Sequence, residues 1–149
     1  MVDEEEHSAR LTKSNLHTAA GDVVSHILQH LVQMLDGLLK DEEPGHIDLG
    51  QLDLTMDERL MLQEVLGENG TQAEVLDYGH TLIRSTGIPG VWLIQHLDAT
   101  DHLIGEFIEV NYAPEALIAV TEDVRDGRDA LKARLFEAGM VRNRHKPKI

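Results

Sequence analysis

The spacing of the apolar residues changes at Thr71, and this change constrains the fold more than any other feature of the sequence. Before Thr71, apolar residues recur every three or four positions, as the buried stripe of a helix requires. One such stripe runs from Val24 to Leu38 and a second from Leu60 to Leu66. After Thr71, apolar and polar residues alternate, which is typical of strands with one buried face. The sequence therefore predicts two helices followed by a sheet.

Four strand-like segments follow Thr71, and the connections between them are only a few residues long. A parallel crossover needs a dozen residues or more, so neighbouring strands are predicted to be antiparallel. One more amphipathic helix is predicted over residues 122–138, with Val124 and Leu131 among its inward residues. The predicted strands span residues 73–78, 81–86, 91–97 and 103–110. The fold class is then α+β, a mainly antiparallel sheet of about four strands with helices packed on one face.

Local signals place the helix boundaries. Thr18 or Asp22 is predicted to open the first helix, and the Pro44–Gly45 pair ends it. Thr55 is followed three residues later by Glu58, a spacing that predicts a capping box at the start of the second helix. The segment between these helices is predicted to be extended and is not counted among the strands.

Length and composition suit one domain, since the chain has 149 residues and 42% of them are hydrophobic. Residues 1–17 are polar and acidic and are predicted to form a disordered tail. Residues 18–140 are predicted to form the single α+β domain. Residues 141–149 contain four Lys and Arg residues and no acid, and are predicted to form a basic tail.

The charge and the residue types absent from the sequence exclude several classes of function. A net charge of −14 argues against binding to nucleic acid or to an anionic membrane surface, which both need clustered Lys and Arg. The absence of cysteine excludes disulfides, thiolate metal sites and thiol redox chemistry. No N-terminal stretch resembles a signal peptide and no run is long enough to span a bilayer, so we expect a cytoplasmic protein without a cofactor.

Two histidines on the first predicted helix raise the question of a metal site. His26 and His30 lie four residues apart with Asp22 one turn earlier, so the three side chains share one helix face. Ile27 occupies the position that a catalytic Glu takes in the HExxH motif, and no further ligand is evident. We expect no metal site. A metal-handling protein for nickel or zinc remains an alternative, using the histidines His26, His30, His46 or His96.

Motifs for catalysis are absent from the sequence. No serine lies in a GxSxG motif, and no glycine-rich loop leads from a strand into a helix as phosphate binding requires. We therefore expect a non-enzyme with no catalytic residue. A small enzyme of unknown reaction remains a further alternative, which would need a pocket with converging polar groups such as Glu106 and a histidine.

The segment Ser85–Trp92 is the most conspicuous local feature after the change of period. Its two glycines allow backbone angles that other residues avoid, and Pro89 fixes its own φ. The segment is therefore a stiff turn, either a β-turn that leads into a core tryptophan or a rigid edge that recognises a partner. The candidate partner-binding residues of this region are Ile88, Pro89, Gly90 and Trp92.

Two carboxylates in the last predicted strand complete the candidate site. Glu106 and Glu109 point to opposite faces because the strand period is two, so they do not form a catalytic pair. Glu106 shares its face with Ile108, an unusual place for a charge. It is interpreted either as an edge residue or partner of Arg84, or as a specificity contact in a protein interface. Both glutamates are included among the candidate partner-binding residues.

Several separated segments occur in an order that is specific when they are taken together. These segments are Ile47–Leu52, Leu54–Thr55, Asp57–Arg59, Leu66–Gly67, Tyr78–Gly79, Ser85–Trp92, Glu106–Val110 and Pro114–Glu115. In this order they resemble the HupH/HyaF family of hydrogenase expression or formation proteins. The resemblance covers Gly45 to about Asp126, which is more than half of the chain.

The resemblance implies a function in protein maturation. Members of the family are accessory proteins for nickel–iron uptake hydrogenases and are thought to act as chaperone-like scaffolds. Their expected partners are the iron–sulfur small-subunit precursor, before its export, and a thioredoxin-like accessory protein. The family has no assigned enzymatic activity, so the resemblance implies no catalytic residue.

The resemblance is to the C-terminal module only. Typical family members are nearly twice as long and resemble two related modules in tandem. We expect a homodimer that restores the two-module arrangement, since two-fold dimers are the commonest closed assembly. Because the chain has no cysteine, any help with iron–sulfur assembly must come from shielding or positioning the cysteines of the client.

Overall fold

The computed structural model describes residues 2–76 and 79–139, with side chains from residue 21 onward. The chain divides into two units, Met1–Glu115 and Ala116–Ile149. The first unit contains α1 (Val2–Asp41), β1 (Gly45–Asp48), α2 (Met56–Leu66), β2 (Gln72–Val75), β3 (His80–Ser85), β4 (Val91–Leu97) and β5 (Leu103–Val110). A short 3-10 turn at Glu115–Leu117 precedes α3 (Thr121–Glu137).

The sheet has five strands in the order β1-β5-β4-β3-β2, and every neighbouring pair is antiparallel. The predicted α+β class and the antiparallel sheet are confirmed. The fifth strand, β1, pairs with β5 and sets Ile47 opposite Ile108. Periodicity did not reveal it because its four residues are too few to establish an alternation.

The first helix is longer than the sequence indicates, since it begins at Val2 and not at Thr18 or Asp22. Residues 2–20 contain no proline and no glycine, and the acids of Asp3–Glu6 suit the positive end of a helix dipole. The predicted acidic tail at residues 1–17 stays a prediction, because no side chains are described there. The predicted basic tail at residues 141–149 lies outside the described residues.

The second helix starts at the predicted capping box. The Thr55 hydroxyl accepts a hydrogen bond from the Glu58 N–H at 3.2 Å, and the Glu58 carboxylate accepts one from the Thr55 N–H at 3.1 Å. Two of the unpaired N–H groups at the helix start are thereby satisfied. The helix ends at Leu66 and is capped by Gly67, whose φ of 67° lies in the region that favours glycine.

One face of the sheet packs against α1 and α2 to form the core, which confirms the predicted placement of these helices. From α1 the core takes Val24, Ile27, Leu31 and Leu38, and from the sheet Ile47, Val91, Ile108 and Val110. In the second unit, no residue of α3 is buried, and Val124 and Leu131 are each 58% exposed. The stripe predicted to face inward on this helix is therefore exposed. Within the described residues, no helix is both long and apolar enough to cross a membrane.

Candidate functional site

A cavity of about 160 Å³ lies between α2 and the sheet. Its apolar wall comes from both sides, with leucines of α2 facing Leu93 of β4 and Ile108 of β5. Its polar lining includes the side chains Arg59, Gln63, Glu68, Arg84, Gln95 and Glu106. The cavity thus combines an apolar wall with charged groups of both signs, as ligand sites do.

Glu106 is the buried anion of this cavity, with only 3% of its surface exposed. The guanidinium of Arg59 donates from α2 to one carboxylate oxygen, and Gln95 Nε2 donates to the other at 2.7 Å. Arg59 itself is 30% exposed. A buried carboxylate is tolerated only when its oxygens are paired, and here both are.

The suggested pairing of Glu106 with Arg84 is not formed. Arg84 stands opposite Leu93 and, one strand further, Ile108, whereas Glu106 stands opposite Gln95. Strand β4 therefore lies between Arg84 and Glu106, and two inter-strand spacings amount to roughly 10 Å. Arg59 reaches Glu106 from α2 instead. Within the described parts of the chain, Arg84 Nε is buried and has no hydrogen-bond partner.

The turn between β3 and β4 is fixed against the end of α2, next to the cavity. The Gly87 N–H donates to the Leu66 carbonyl at 2.7 Å, and a Cβ at Gly87 would lie 2.8 Å from that oxygen. The Thr86 hydroxyl donates to the Val91 carbonyl at 2.8 Å and closes the turn from within. Glycine is required at position 87 because the two backbones touch there.

The exposed part of this turn consists of predicted partner-binding residues. Ile88 is 39% exposed and Pro89 is exposed, while Gly90 is half-buried. Gly90 has a φ of 88°, and Leu35 of α1 lies against it. The turn therefore exposes the apolar side chain of Ile88, and its backbone contacts α2 at Gly87 and α1 at Gly90.

Trp92 and Glu109 lie on the opposite sheet face from Glu106, where they stand opposite each other in the β4–β5 register. Trp92 Nε1 donates to the Asn111 carbonyl at 3.0 Å. Glu109 is buried, and one of its carboxylate oxygens accepts a hydrogen bond from the Glu115 N–H at 2.8 Å. His46 Nε2 lies 3.3 Å from the other carboxylate oxygen. The contacts described for Glu106 and Glu109 are internal, so their role in partner binding stays a prediction.

The candidate histidines are dispersed. His26 and His30 are exposed on α1, His46 is on β1 beside Glu109, and His96 of β4 contacts the Thr81 hydroxyl at 2.8 Å. Within residues 2–76 and 79–139, three potential metal ligands do not come together. The geometry therefore gives the metal-handling alternative no support.

Sequence reasoning missed Arg59 as a site residue, although a signal was present. Arg59 lies three residues before Leu62 and seven before Leu66, so a charge interrupts the buried stripe of α2. Glu106 interrupts the apolar stripe of β5 in the same way. A charge within each of two apolar stripes indicates that each charge needs a partner in the packed layer, although the stripes alone do not say which charges pair.

A comparison with known families identifies the chain. The model of the HupH hydrogenase expression protein, C-terminal conserved region, matches residues 20–137. The chain belongs to this family. The predicted resemblance to the HupH/HyaF family is thereby confirmed.

Individual relatives agree with the family assignment. HoxQ of Azotobacter vinelandii, a hydrogenase expression/formation protein, is 32% identical over an alignment of 107 residues that covers 68% of this chain and 38% of HoxQ. The hydrogenase-1 operon protein HyaF of Escherichia coli K12 is 35% identical over an alignment of 94 residues that covers 61% of this chain and 32% of HyaF. The chain thus spans well under half the length of these relatives.

A solved structure shares the fold. The hydrogenase expression protein HupH from Thiobacillus denitrificans superposes with a TM-score of 0.71 at 32% identity. The superposition covers 76% of this chain and 95% of that chain. The sheet and its helices are therefore a shared property of the two proteins.

Proposed function

We propose that this chain is a non-enzymatic accessory protein in the maturation of a nickel–iron hydrogenase. The observation that carries the proposal is the family match over residues 20–137, in a family described as hydrogenase expression proteins. The relatives in Azotobacter vinelandii and Escherichia coli are named for hydrogenase expression or a hydrogenase operon.

The cavity chemistry supports a binding function over catalysis. Glu106 lines the cavity, but both of its carboxylate oxygens are engaged by Arg59 and Gln95. No histidine lines the cavity within the described part of the chain. A general base needs a free acceptor within reach of a substrate proton. The cavity offers a paired carboxylate instead.

The proposed client is the iron–sulfur small-subunit precursor, held in the cytoplasm before export with help from a thioredoxin-like accessory protein. The absence of cysteine in the chain limits how it could act on such a client. Cluster assembly on the protein itself would normally use thiolate ligands. A chain without them is suited to shielding the client's own cysteines.

The proposed contact surface is the turn at Ile88–Gly90. Its backbone is fixed by the Gly87 contact with Leu66 and by the Thr86 hydroxyl, so little conformational entropy is lost when a partner binds. Ile88 supplies exposed apolar surface. Trp92, Glu106 and Glu109 are further residues of the proposed contact surface, on the strands that follow the turn.

A pull-down from cells that express the hydrogenase operon tests the proposal. We expect the tagged chain to recover the small-subunit precursor, and Ile88→Ser to recover much less of it. Leu76→Ser is the matched control, because Leu76 is 74% exposed and lies at the end of the β2–β3 pair that is remote from the turn. Absence of the small subunit from the wild-type pull-down would refute the proposed client. Equal loss with both variants would refute the proposed surface.

A further inference from the structure

Arg84 is the feature of the cavity that the proposed function does not use. Its Nε atom is buried without a hydrogen-bond partner among the described residues, although the protein has 27 acids for 13 Lys and Arg. The carboxylate of Glu106 lies on the far side of β4 from Arg84 and is already paired with Arg59. Leaving a buried donor unpaired is costly, and an acceptor supplied by a ligand removes that cost.

The size of the cavity limits what it can hold. Its volume of about 160 Å³ is close to that of an engineered protein cavity of about 150 Å³ that binds benzene. A branched stem of four to six carbons is therefore about as large as the cavity admits. Leu54, Leu62, Leu93 and Ile108 provide the apolar wall for such a stem.

The charges of the lining favour a single negative charge on the ligand. A guanidinium matches a carboxylate with two parallel hydrogen bonds. Arg59 already neutralises Glu106, and Glu68 in the same lining opposes the second negative charge of a group such as phosphate. Among the described residues, Arg84 is thus the cation of the lining without an ion-pair partner, and a single negative charge on the ligand matches it.

We propose that this cavity binds a carboxylate on a short apolar stem, with Arg84 as the counter-ion. The ligand is either a free small carboxylic acid or the carboxyl group of a polypeptide that ends in an apolar residue. The proposal does not depend on the hydrogenase role, because it rests only on the cavity and its side chains.

Amide NMR of the full ¹⁵N-labelled chain tests it with three probes. These are 4-methylpentanoate, its neutral amide, and a short peptide ending in leucine with a free carboxylate. We expect the acid to shift the amides of Gly67 and Thr86, which line the cavity, and to bind roughly tenfold more tightly than the amide. Binding of the free acid alone identifies a small-molecule ligand, and binding of the peptide identifies a polypeptide carboxyl.

Variants of Arg84 test whether this residue causes the preference for the acid over its amide. Arg84→Met should abolish the preference for acid over amide, and Arg84→Lys should retain part of it. Arg125→Met is the control, since Arg125 is exposed on α3 and does not line the cavity. Equal affinity of the wild-type chain for acid and amide would overturn the proposal, even if Arg84→Met failed to fold. Absence of binding by all probes would overturn it as well.

Discussion

The ion pair between Arg59 and Glu106 places two opposite charges in the packed layer between α2 and the sheet. Glu106 is buried and Arg59 is partly exposed, so the pair lies between a surface pair and a fully buried one. Arg59→Met leaves the carboxylate with Gln95 alone, and we expect it to lower the free energy of unfolding by about 2 kcal/mol. Arg59→Met/Glu106→Leu should recover most of that loss, because no buried charge is then left unpaired.

Urea unfolding measures these changes. Arg128→Met is a control for the loss of an ion pair, since Arg128 and Asp129 are both more than half exposed. We expect that control to change the free energy of unfolding by less than about 0.5 kcal/mol. A double variant as unstable as Arg59→Met would show that the pair is not the source of the loss.

Asp98 in the turn between β4 and β5 has a pKa lowered from 3.8, first by the hydrogen bond from the Thr100 hydroxyl and then by the N–H groups of His102 and Thr100. A folded pKa below the unfolded one gives stability that is complete above the unfolded pKa. That stability is lost as the pH falls through the folded pKa. We expect the turn to loosen only below about pH 4.

Carboxyl NMR titration checks the cause of this shift. Thr100→Ala removes the largest contribution and should raise the pKa of Asp98 toward 3.8. Thr121→Ala, at the start of α3, should leave the pKa of Asp98 as it is in the wild type. An unchanged pKa in Thr100→Ala would assign the shift to the backbone donors.

At the scale of elements, α2 and the β3–β4 turn are joined by the hydrogen bond from the Gly87 N–H to the Leu66 carbonyl. We expect Gly87→Ala to lower the free energy of unfolding by about 1–3 kcal/mol, since its Cβ would lie 2.8 Å from the Leu66 carbonyl. Gly37→Ala in α1 meets nothing within 4 Å and should instead stabilise the chain by about 0.5–1 kcal/mol. Thermal unfolding of the two variants distinguishes this packing effect from a general effect of alanine.

The elements also show what the sequence can and cannot predict. Strands β4 and β5 occur at their predicted residues because alternation over seven or eight positions is a strong signal. Strand β1 has four residues and is defined by its partner β5, so its own sequence did not predict it. The Arg59–Glu106 pair depends on how α2 lies over the sheet, which no local pattern specifies.

At the scale of the whole molecule, we propose that the chain forms a homodimer of twice 16.6 kDa, since two-fold dimers are the commonest closed assembly. Val32 and Leu39 are exposed seven residues apart on α1 and suit such a contact.

Light scattering at micromolar concentration measures the mass. Leu39→Glu should yield the monomer, because it places a charge in the proposed contact. Gln33→Glu adds the same charge to a neighbouring exposed position of α1 and should leave the dimer intact. A wild-type mass of 16.6 kDa would count against the dimer.

The net charge of −14 acts on any client at distances beyond direct contact. If the proposed client presents a basic export signal, the charge speeds encounter, and salt screens that attraction within a Debye length of about 10 Å at 0.1 M. We expect the affinity for a peptide of that signal to fall at least tenfold between about 50 and 500 mM salt.

Titration calorimetry of two peptides separates charge from apolar contact. A peptide with its Lys and Arg replaced by Gln should bind weakly at both salt concentrations. Ile88→Ser should weaken binding of the native peptide by a similar factor at low and high salt, because burial of an apolar side chain is not screened. Binding that is insensitive to salt would remove the electrostatic attraction from the proposed function and leave the turn at Ile88–Gly90 as its main contact. The two contributions are therefore separable in one set of measurements, the charge by its salt dependence and the turn by the variant.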